Sequence, residues 1–239
     1  MEKIKNFFKD EWKALHSELN KWEYLSWWVL RLAMIIALIY YFSSDDFLKK
    51  LILSVNTVST FTIPLARTIL FPKWLVKRMP FRCQTWLNII VFFGSFLSQA
   101  INLNHTINGY DKFLHFLTGI VVVLIGYEFS NMFLRNGDRV SPLFKVHSAV
   151  GFSFIAIVLW EIFEFIVDFY WPGSSNQGYN VTPNENMVFF KIFGKGAGNT
   201  GQYPVFDTNI DMLYAAVGTV ISAGVLIFVL YKKQGKKRA

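Results

Sequence analysis

The sequence has few charged residues and a single cysteine. Charged residues make up 17% of the 239-residue chain, below the roughly 25% of a typical soluble domain. Because Cys83 is the one cysteine, an intrachain disulfide is excluded. The chain also lacks a glycine loop for nucleotides, a serine or cysteine nucleophile elbow, and the zinc-protease pattern His-Glu-x-x-His. No ready-made motif therefore assigns an activity, and the chemistry has to be inferred from the placement of individual side chains.

Apolar residues dominate what is present. Hydrophobic residues form 53% of the chain and aromatic residues 18%, a composition typical of membrane proteins. Six segments reach about 20 residues, the length that an α-helix needs to cross a bilayer. The sequence therefore predicts an all-α, multi-pass transmembrane bundle within 23–231, with the lipid bilayer as its partner. The predicted spans are 24–42, 47–71, 85–103, 111–134, 143–171 and 210–231.

The basic residues indicate how the bundle is oriented. The net charge is +8, but lysines and arginines alternate with apolar spans and form no single patch, which argues against nucleic acid as a partner. The connections on one side of the predicted bundle carry 17 of them, including the tail 232–239, and those on the other side carry five. The positive-inside rule then predicts that both termini are cytoplasmic. The sequence indicates no particular protein partner.

The N-terminal segment 1–22 has the pattern of an amphipathic helix. Apolar residues recur at steps of three and four from Ile4 to Trp22, and five lysines fall between them. Such a helix either lies on the anionic lipids of the cytoplasmic face or packs against the inner ends of the bundle. The sequence leaves both alternatives open.

The long connection 172–206 is the other extramembrane feature. It is rich in glycine, asparagine and proline, and its stretch 184–194 has the pattern of a short capped helix ended by glycine. A loop of this length with apolar content is either a lid or a connector that packs its aromatic residues on the bundle.

Acidic side chains recur at helical spacing in the last three predicted spans. One span carries Asp111 and His115 four residues apart, and the next carries acids at 161, 164 and 168. The last span carries Asp207 and Asp211, again four apart. Residues at these spacings share a helix face, and all lie in the half of the bilayer opposite the termini. A buried carboxylate costs roughly 2.5–3.5 kcal/mol on insertion scales, so these faces are expected to meet around a partner.

A divalent metal is the partner that this set of side chains predicts. Carboxylates with one histidine suit Mn²⁺, Zn²⁺ or Mg²⁺, and Lys112 is the one nearby cation in the sequence. We therefore expect Glu161 to act as the general base, because a carboxylate beside an acidified water can accept its proton. The predicted metal ligands are Asp111, His115, Glu164, Asp207 and Asp211.

Two structural interpretations concern the same charged residues. Asp111, Asp168 and Asp207 stand where helix-capping or interfacial side chains are expected, so they serve the fold alone in that interpretation. At the other end of the bundle, Arg31 and Arg67 lie at a depth similar to that of Glu128. Because buried charges in membranes pair with each other, the sequence predicts a structural ion pair between Glu128 and one or both arginines.

The order of these motifs resembles a known family. Gly94 is followed by Tyr110-Asp111-Lys112-x-x-His115-Phe116-x-x-Gly119, by Trp160-Glu161-x-x-Glu164, and by Phe206-Asp207-Thr208-x-x-Asp211-Met212 with Gly218. Over about the last 150 residues this order is similar to the YjdF-like bacterial inner-membrane proteins. More distantly it resembles VanZ-like membrane proteins, although Glu164 stands here in place of a glutamine. The resemblance implies a multi-helix protein of the bacterial cytoplasmic membrane and carries no established activity.

Three functional classes fit these observations. The leading hypothesis is a metal-dependent hydrolase or transferase that acts on a lipid or cell-envelope substrate from the outer leaflet. The second is an ion- or proton-coupled transporter whose acids bind the coupling ion. The third is a non-catalytic scaffold or binding protein whose acids are capping groups and neutral carboxyls.

Overall fold

The described part of the chain is built from helices. A computed structural model describes residues 2–70, 75–134, 140–170, 176–177 and 203–238, and all regular secondary structure within these ranges is helical. Two π-helical segments, Ala66–Leu70 and Phe92–Ala100, and a 3-10 turn, Leu75–Arg78, join the α-helices. The α-helices are α1 Glu2–Glu18, α2 Lys21–Phe42, α3 Phe47–Ser59, α4 Thr62–Leu65, α5 Arg82–Val91, α6 Leu103–Thr106, α7 Tyr110–Met132, α8 Pro142–Tyr170 and α9 Tyr203–Arg238.

Four of these helices are long and apolar enough to cross a membrane. They are Lys21–Phe42, Tyr110–Ser130, Pro142–Tyr170 and Pro204–Lys232. Large apolar side chains on them face outward, for example Ile39 at 66%, Phe169 at 68% and Val220 at 65% exposure. Such surfaces are unfavourable in water and suited to contact with lipid. The all-helical, multi-pass membrane architecture predicted from composition is therefore present.

The other two predicted spans occur as shorter helical pieces in series. The segment predicted at 47–71 contains α3, α4 and a π-helical turn, and the segment predicted at 85–103 contains α5 and a π-helical segment. The interruption between α3 and α4 falls at Thr60 and Phe61, four residues before Pro64. A proline ring clashes with the carbonyl of residue i−4, here Thr60, and cannot donate a helical hydrogen bond. Six crossings and their orientation stay predictions.

The N-terminal segment is two helical parts, not one. Asn20 separates α1 from α2, because its Oδ1 accepts from the backbone N–H groups of Trp22 and Glu23 while the Glu23 carboxylate accepts from the Asn20 N–H. Helix α1 packs on the bundle, with its buried Glu11 paired to Arg67. The opposite face of α1 stays exposed, so binding of anionic lipids by this helix stays a prediction.

Helices α7, α8 and α9 pack against one another and define two ends of the bundle. At one end, the Leu134 carbonyl beyond α7 accepts a hydrogen bond from Arg78 Nη1 at 3.2 Å, and Arg82 Nε donates to the carbonyl of Glu18 at 3.0 Å, close to α1. The start of α7, the last third of α8 and the start of α9 meet at the opposite end. This end, far from α1, carries the acidic side chains.

Cys83 lies at the α1 end and is only 1% exposed. Burial, followed by the negative charges of Glu128 and Glu18, raises the pKa of its thiol to about 12. Because maleimides react with accessible thiolates, this cysteine is expected to stay unlabelled in the folded protein on either side of the membrane.

The predicted loop 172–206 lies outside the described residues except for 176–177 and 203–206. The predicted short helix at 184–194 also lies outside them. The alternatives of a lid and a packed connector both remain predictions.

Candidate functional site

Close packing of α7 on α9 positions the site. A Cβ added at Gly119 would overlap the backbone carbonyl of Ala215, and one added at Gly218 would overlap that of Phe116. Ser222 Oγ also donates across this interface to the carbonyl of Ile120 at 3.0 Å. One turn before Gly119 lies His115, and one turn before Ala215 lies Asp211, because residues four apart share a helix face. Backbone contact between the two helices therefore brings His115 and Asp211 together.

His115 lies between two groups of carboxylates. Its Nδ1 is 3.5 Å from Glu161 Oε1, while its Nε2 is 3.6 Å from Asp111 Oδ1 and 3.8 Å from Asp211 Oδ1. The imidazole is 8% exposed. The predicted meeting of the three acidic helix faces is therefore observed, with His115 at the centre. The two ring nitrogens face different sides, which we call the glutamate side and the aspartate side.

Lys112 fills the aspartate side. Its Nζ is 2.9 Å from Asp111 Oδ2, 2.5 Å from Asp207 Oδ1 and 2.7 Å from Asp211 Oδ1. Asp207 lies four residues inside α9, so the capping interpretation does not describe it. A single ammonium group thus interacts with three carboxylates. The sequence had predicted a divalent metal as the partner of these carboxylates. The sequence identified Lys112 only as the nearest cation. The packing of the helices decides which carboxylates it contacts.

No lysine or arginine forms an ion pair on the glutamate side among the described residues, where His115 Nδ1 is the ionisable nitrogen. Glu161 is 5% exposed, and neither of its carboxylate oxygens has a hydrogen-bond donor within the described part of the chain. Glu164 Oε1 accepts a hydrogen bond from the Trp160 indole at 2.8 Å. Buried carboxylate oxygens without partners are costly, so the two open oxygens of Glu161 indicate a place for a ligand that carries positive charge.

Asp168 binds the chain beyond α8. Its carboxylate accepts from the backbone N–H groups of Asn176 and Gln177, both at 2.8 Å. Gln177 is buried and in turn donates to Thr208 Oγ1 at 3.0 Å and to the Glu161 carbonyl at 3.4 Å. This arrangement favours the structural interpretation of Asp168. Gln177 and Thr208 were not predicted, since contacts between residues 31 apart along the chain leave no periodic signal.

The arginines of the predicted ion pair have other contacts. Arg67 Nε is 3.1 Å from Glu11 Oε2, and Arg67 Nη1 is 3.7 Å from Glu18 Oε1. Arg31 Nη2 donates to the Thr60 carbonyl at 2.7 Å. Both acidic partners of Arg67 come from α1, which agrees with the alternative that this helix packs against the inner end of the bundle. Glu128 lies close enough to affect the pKa of Cys83, and its pairing with either arginine stays a prediction.

The donor geometry can be compared with what a metal requires. Two groups have ligand atoms within 4.8 Å of one another: Asp111, His115 and Asp211, and His115, Glu161 and Glu164. Lys112 already stands within 2.9 Å of Asp111 and Asp211, so an ammonium group occupies the first group. The second group has an imidazole nitrogen and two carboxylates, and the oxygens of one of them, Glu161, have no hydrogen-bond donor among the described residues. That donor set fits a divalent cation such as Zn²⁺ or Mn²⁺.

The fold and composition define the class of the protein as an integral membrane protein with several apolar helices and a buried acidic cluster at one end. Residues 25–232 match the model of a family described as predicted membrane protein (DUF2238). The chain therefore belongs to this family. No curated protein and no solved structure matches the chain.

Proposed function

We propose that the protein is a divalent-metal-dependent membrane enzyme, a hydrolase or transferase, whose metal lies on the glutamate side of His115. The metal would be held by His115 Nδ1, Glu161 and Glu164. The observation that supports this proposal is the buried Glu161 carboxylate, which has no donor among the described residues and lies 3.5 Å from His115 Nδ1. Asp111, Asp207 and Asp211, which the sequence predicted as further ligands, belong to Lys112 in this proposal.

The side chains around this position have separate tasks. A bound divalent metal would supply positive charge and an acidified water. One oxygen of Glu161 can serve as a ligand while the other accepts a proton from water, as expected of a general base. Carboxylates behind the second nitrogen of a ligating histidine fix its orientation, and Asp111 and Asp211 stand in that position. Gln177 links the Glu161 carbonyl to Thr208 on α9.

The surroundings of Glu164 support a lipid or cell-envelope substrate. Trp160, which donates to Glu164, is itself 51% exposed on the outer surface of the helical bundle. One side chain therefore separates this carboxylate from the lipid phase. The side chain of Asp111 is 37% exposed, so a substrate could reach the cluster from the end of the bundle. A substrate with an apolar tail and a polar head group could contact both surfaces.

The cellular setting is part of the same proposal. We infer a YjdF-like protein of the bacterial inner membrane with six crossings and both termini in the cytoplasm, so that the cluster opens toward the outer leaflet. The distribution of lysine and arginine supports this orientation. The directions of the helices are consistent with it, since α1 and the acidic cluster lie at opposite ends.

The metal content of the detergent-purified protein tests the proposal. We expect about one equivalent of Zn or Mn per chain in the wild type, and its loss in His115→Ala and Glu161→Gln, because each removes one of three ligands. Asp207→Asn is the matched control, since it removes a carboxylate that contacts Lys112 outside the three-ligand group. Elemental mass spectrometry on monodisperse fractions gives the count.

Two results would contradict the metal site. One is a wild-type protein without metal even after reloading, and the other is metal that both ligand variants retain. Either result would remove the basis for an enzyme and favour the transporter class, in which ion-gradient-driven uptake into proteoliposomes is the corresponding measurement. A confirmed metal justifies a search for hydrolysis or group transfer among envelope lipids.

A further inference from the structure

A second unusual charge lies in the other half of the bundle. Arg31, in α2, is 4% exposed, and no carboxylate forms an ion pair with it among the described residues. Its guanidinium lies over the Phe61 ring at 3.9 Å and near Trp27 and Trp28, both at 5.1 Å. Nη2 donates to the Thr60 carbonyl, but Nε has no acceptor within the described part of the chain. Burial of a cation with an open donor is costly unless something neutralises it.

Asn88, in α5, presents a second open donor. The backbone N–H of Ile63 donates to Gln84 Oε1 at 2.9 Å, which fixes the orientation of the Gln84 amide. Gln84 Nε2 then donates to Asn88 Oδ1 at 2.8 Å, so that Nδ2 of Asn88 points elsewhere. This Nδ2 has no acceptor among the described residues, and Asn88 is 5% exposed.

The register of two helices places these donors at the same level. Trp27 Nε1 donates to Thr85 Oγ1 at 2.9 Å, and Tyr41 Oη donates to the Ala100 carbonyl at 3.0 Å. The partners are 58 and 59 residues apart, so α2 and the segment that begins with α5 run in the same direction side by side. One turn beyond Trp27 and Thr85, both helices present a buried donor, which is Arg31 on α2 and Asn88 on α5.

Both side chains also converge on the interruption between α3 and α4. Arg31 reaches the carbonyl of Thr60, and Gln84 links Asn88 to the carbonyl of Ser59. These carbonyls are adjacent along the chain and already have donors. Two further donors, one of them charged, therefore belong to side chains at this interruption and have no acceptor among the described residues.

We propose that a small monovalent anion, such as chloride, binds between Arg31 Nε and Asn88 Nδ2 beside the Thr60–Phe61 interruption. An anion accepts hydrogen bonds from both groups and neutralises the guanidinium, which a water molecule does not do. The site joins α2, α5 and the start of α4, so the anion stabilises the broken helix. It shares no residue with the cluster around His115, and the two proposals stand independently.

Chloride dependence of the purified protein tests this site. Thermal unfolding is measured in chloride and in gluconate at equal ionic strength, and bound radioactive chloride is measured by scintillation proximity. For the wild type we expect a Tm that rises with the logarithm of chloride concentration and saturable binding of about one chloride per chain. Arg31→Met and Asn88→Leu should lose both responses. Ser95→Ala, which removes a different buried polar group without a partner among the described residues, should keep them.

The proposal is overturned if the wild type has the same Tm in both salts and retains no radioactive chloride, which would mean that water alone accepts these bonds. It is also overturned if Asn88→Leu binds chloride as the wild type does. Because Asn88→Leu keeps the charge and changes one amide, the test does not depend on whether Arg31→Met folds.

Discussion

The close packing of α7 on α9 leads to a prediction about Gly119 and Gly218. Alanine at either position would place its Cβ against a backbone carbonyl of the facing helix, which cannot rotate away as a side chain can. Non-bonded heavy atoms prefer separations of about 3.5–4.0 Å, so the two helices would have to move apart by roughly 1.5 Å or more. His115 and Asp211, one turn away, would separate with them.

The expected loss of stability combines two opposing effects. Overpacking of a rigid interface costs about 1–3 kcal/mol, while replacing a helical glycine by alanine gains up to about 1 kcal/mol. Two backbone atoms in contact place the cost near the upper end, so a net loss of about 2 kcal/mol is expected. At about 2–4 °C per kcal/mol for a chain of this size, the Tm should fall by roughly 4–8 °C.

Gly224→Ala provides the matched control on the same helix. A Cβ at Gly224 has no atom within 4 Å, so this variant gains helix propensity without a clash and should be as stable as the wild type or slightly more. Thermal unfolding of all three alanine variants in one detergent gives the comparison. If Gly119→Ala and Gly218→Ala unfold at the temperature of Gly224→Ala, the inference that backbone contact positions the site is wrong.

Two further predictions concern the aspartate side and the topology. Lys112→Met leaves three carboxylates without their cation, and removal of one partner from a buried pair costs about 3–5 kcal/mol, so little folded protein is expected from size-exclusion chromatography. Adding Asp207→Asn should restore part of the yield, the exposed Lys9→Met should be harmless, and a normal yield of Lys112→Met alone would refute the role of this lysine. For topology, Asp45→Cys should react with an impermeant maleimide in intact cells, while Lys5→Cys should react only after lysis. Buried Cys83 can stay in place for this experiment, and labelling in the reverse order would show that both termini face outward.

Local pattern was sufficient to predict the acidic faces and most bounds of the long helices, although α9 begins at Tyr203, before its predicted span 210–231. Spans predicted at 111–134 and 143–171 differ from α7 and α8 by one or two residues at each end, because long apolar runs with few breakers have one stable conformation in a membrane. The spacing of Asp111 with His115, and of Glu161 with Glu164, is a property of any helix. The sequence therefore predicted which side chains share a face, and the structure confirms that these faces meet.

Partners across helices depended on tertiary packing. The choice of Glu11 and Glu18 as partners of Arg67 required α1 to fold back onto the bundle, and charge counting along the chain contains no information about that contact. Likewise, the sequence identified Lys112 only as a nearby cation. The close packing of α7 on α9 at Gly119 and Gly218 places its ammonium group among three aspartates. The depth of a residue in the membrane and the helix face that it occupies can be predicted from a single helix. The pairing of charges is decided by the rotation and separation of neighbouring helices. For this reason the sequence determined the membrane helices and the set of acidic side chains with His115, and only the tertiary structure divided that set into a side occupied by Lys112 and a glutamate side without a lysine or arginine among the described residues.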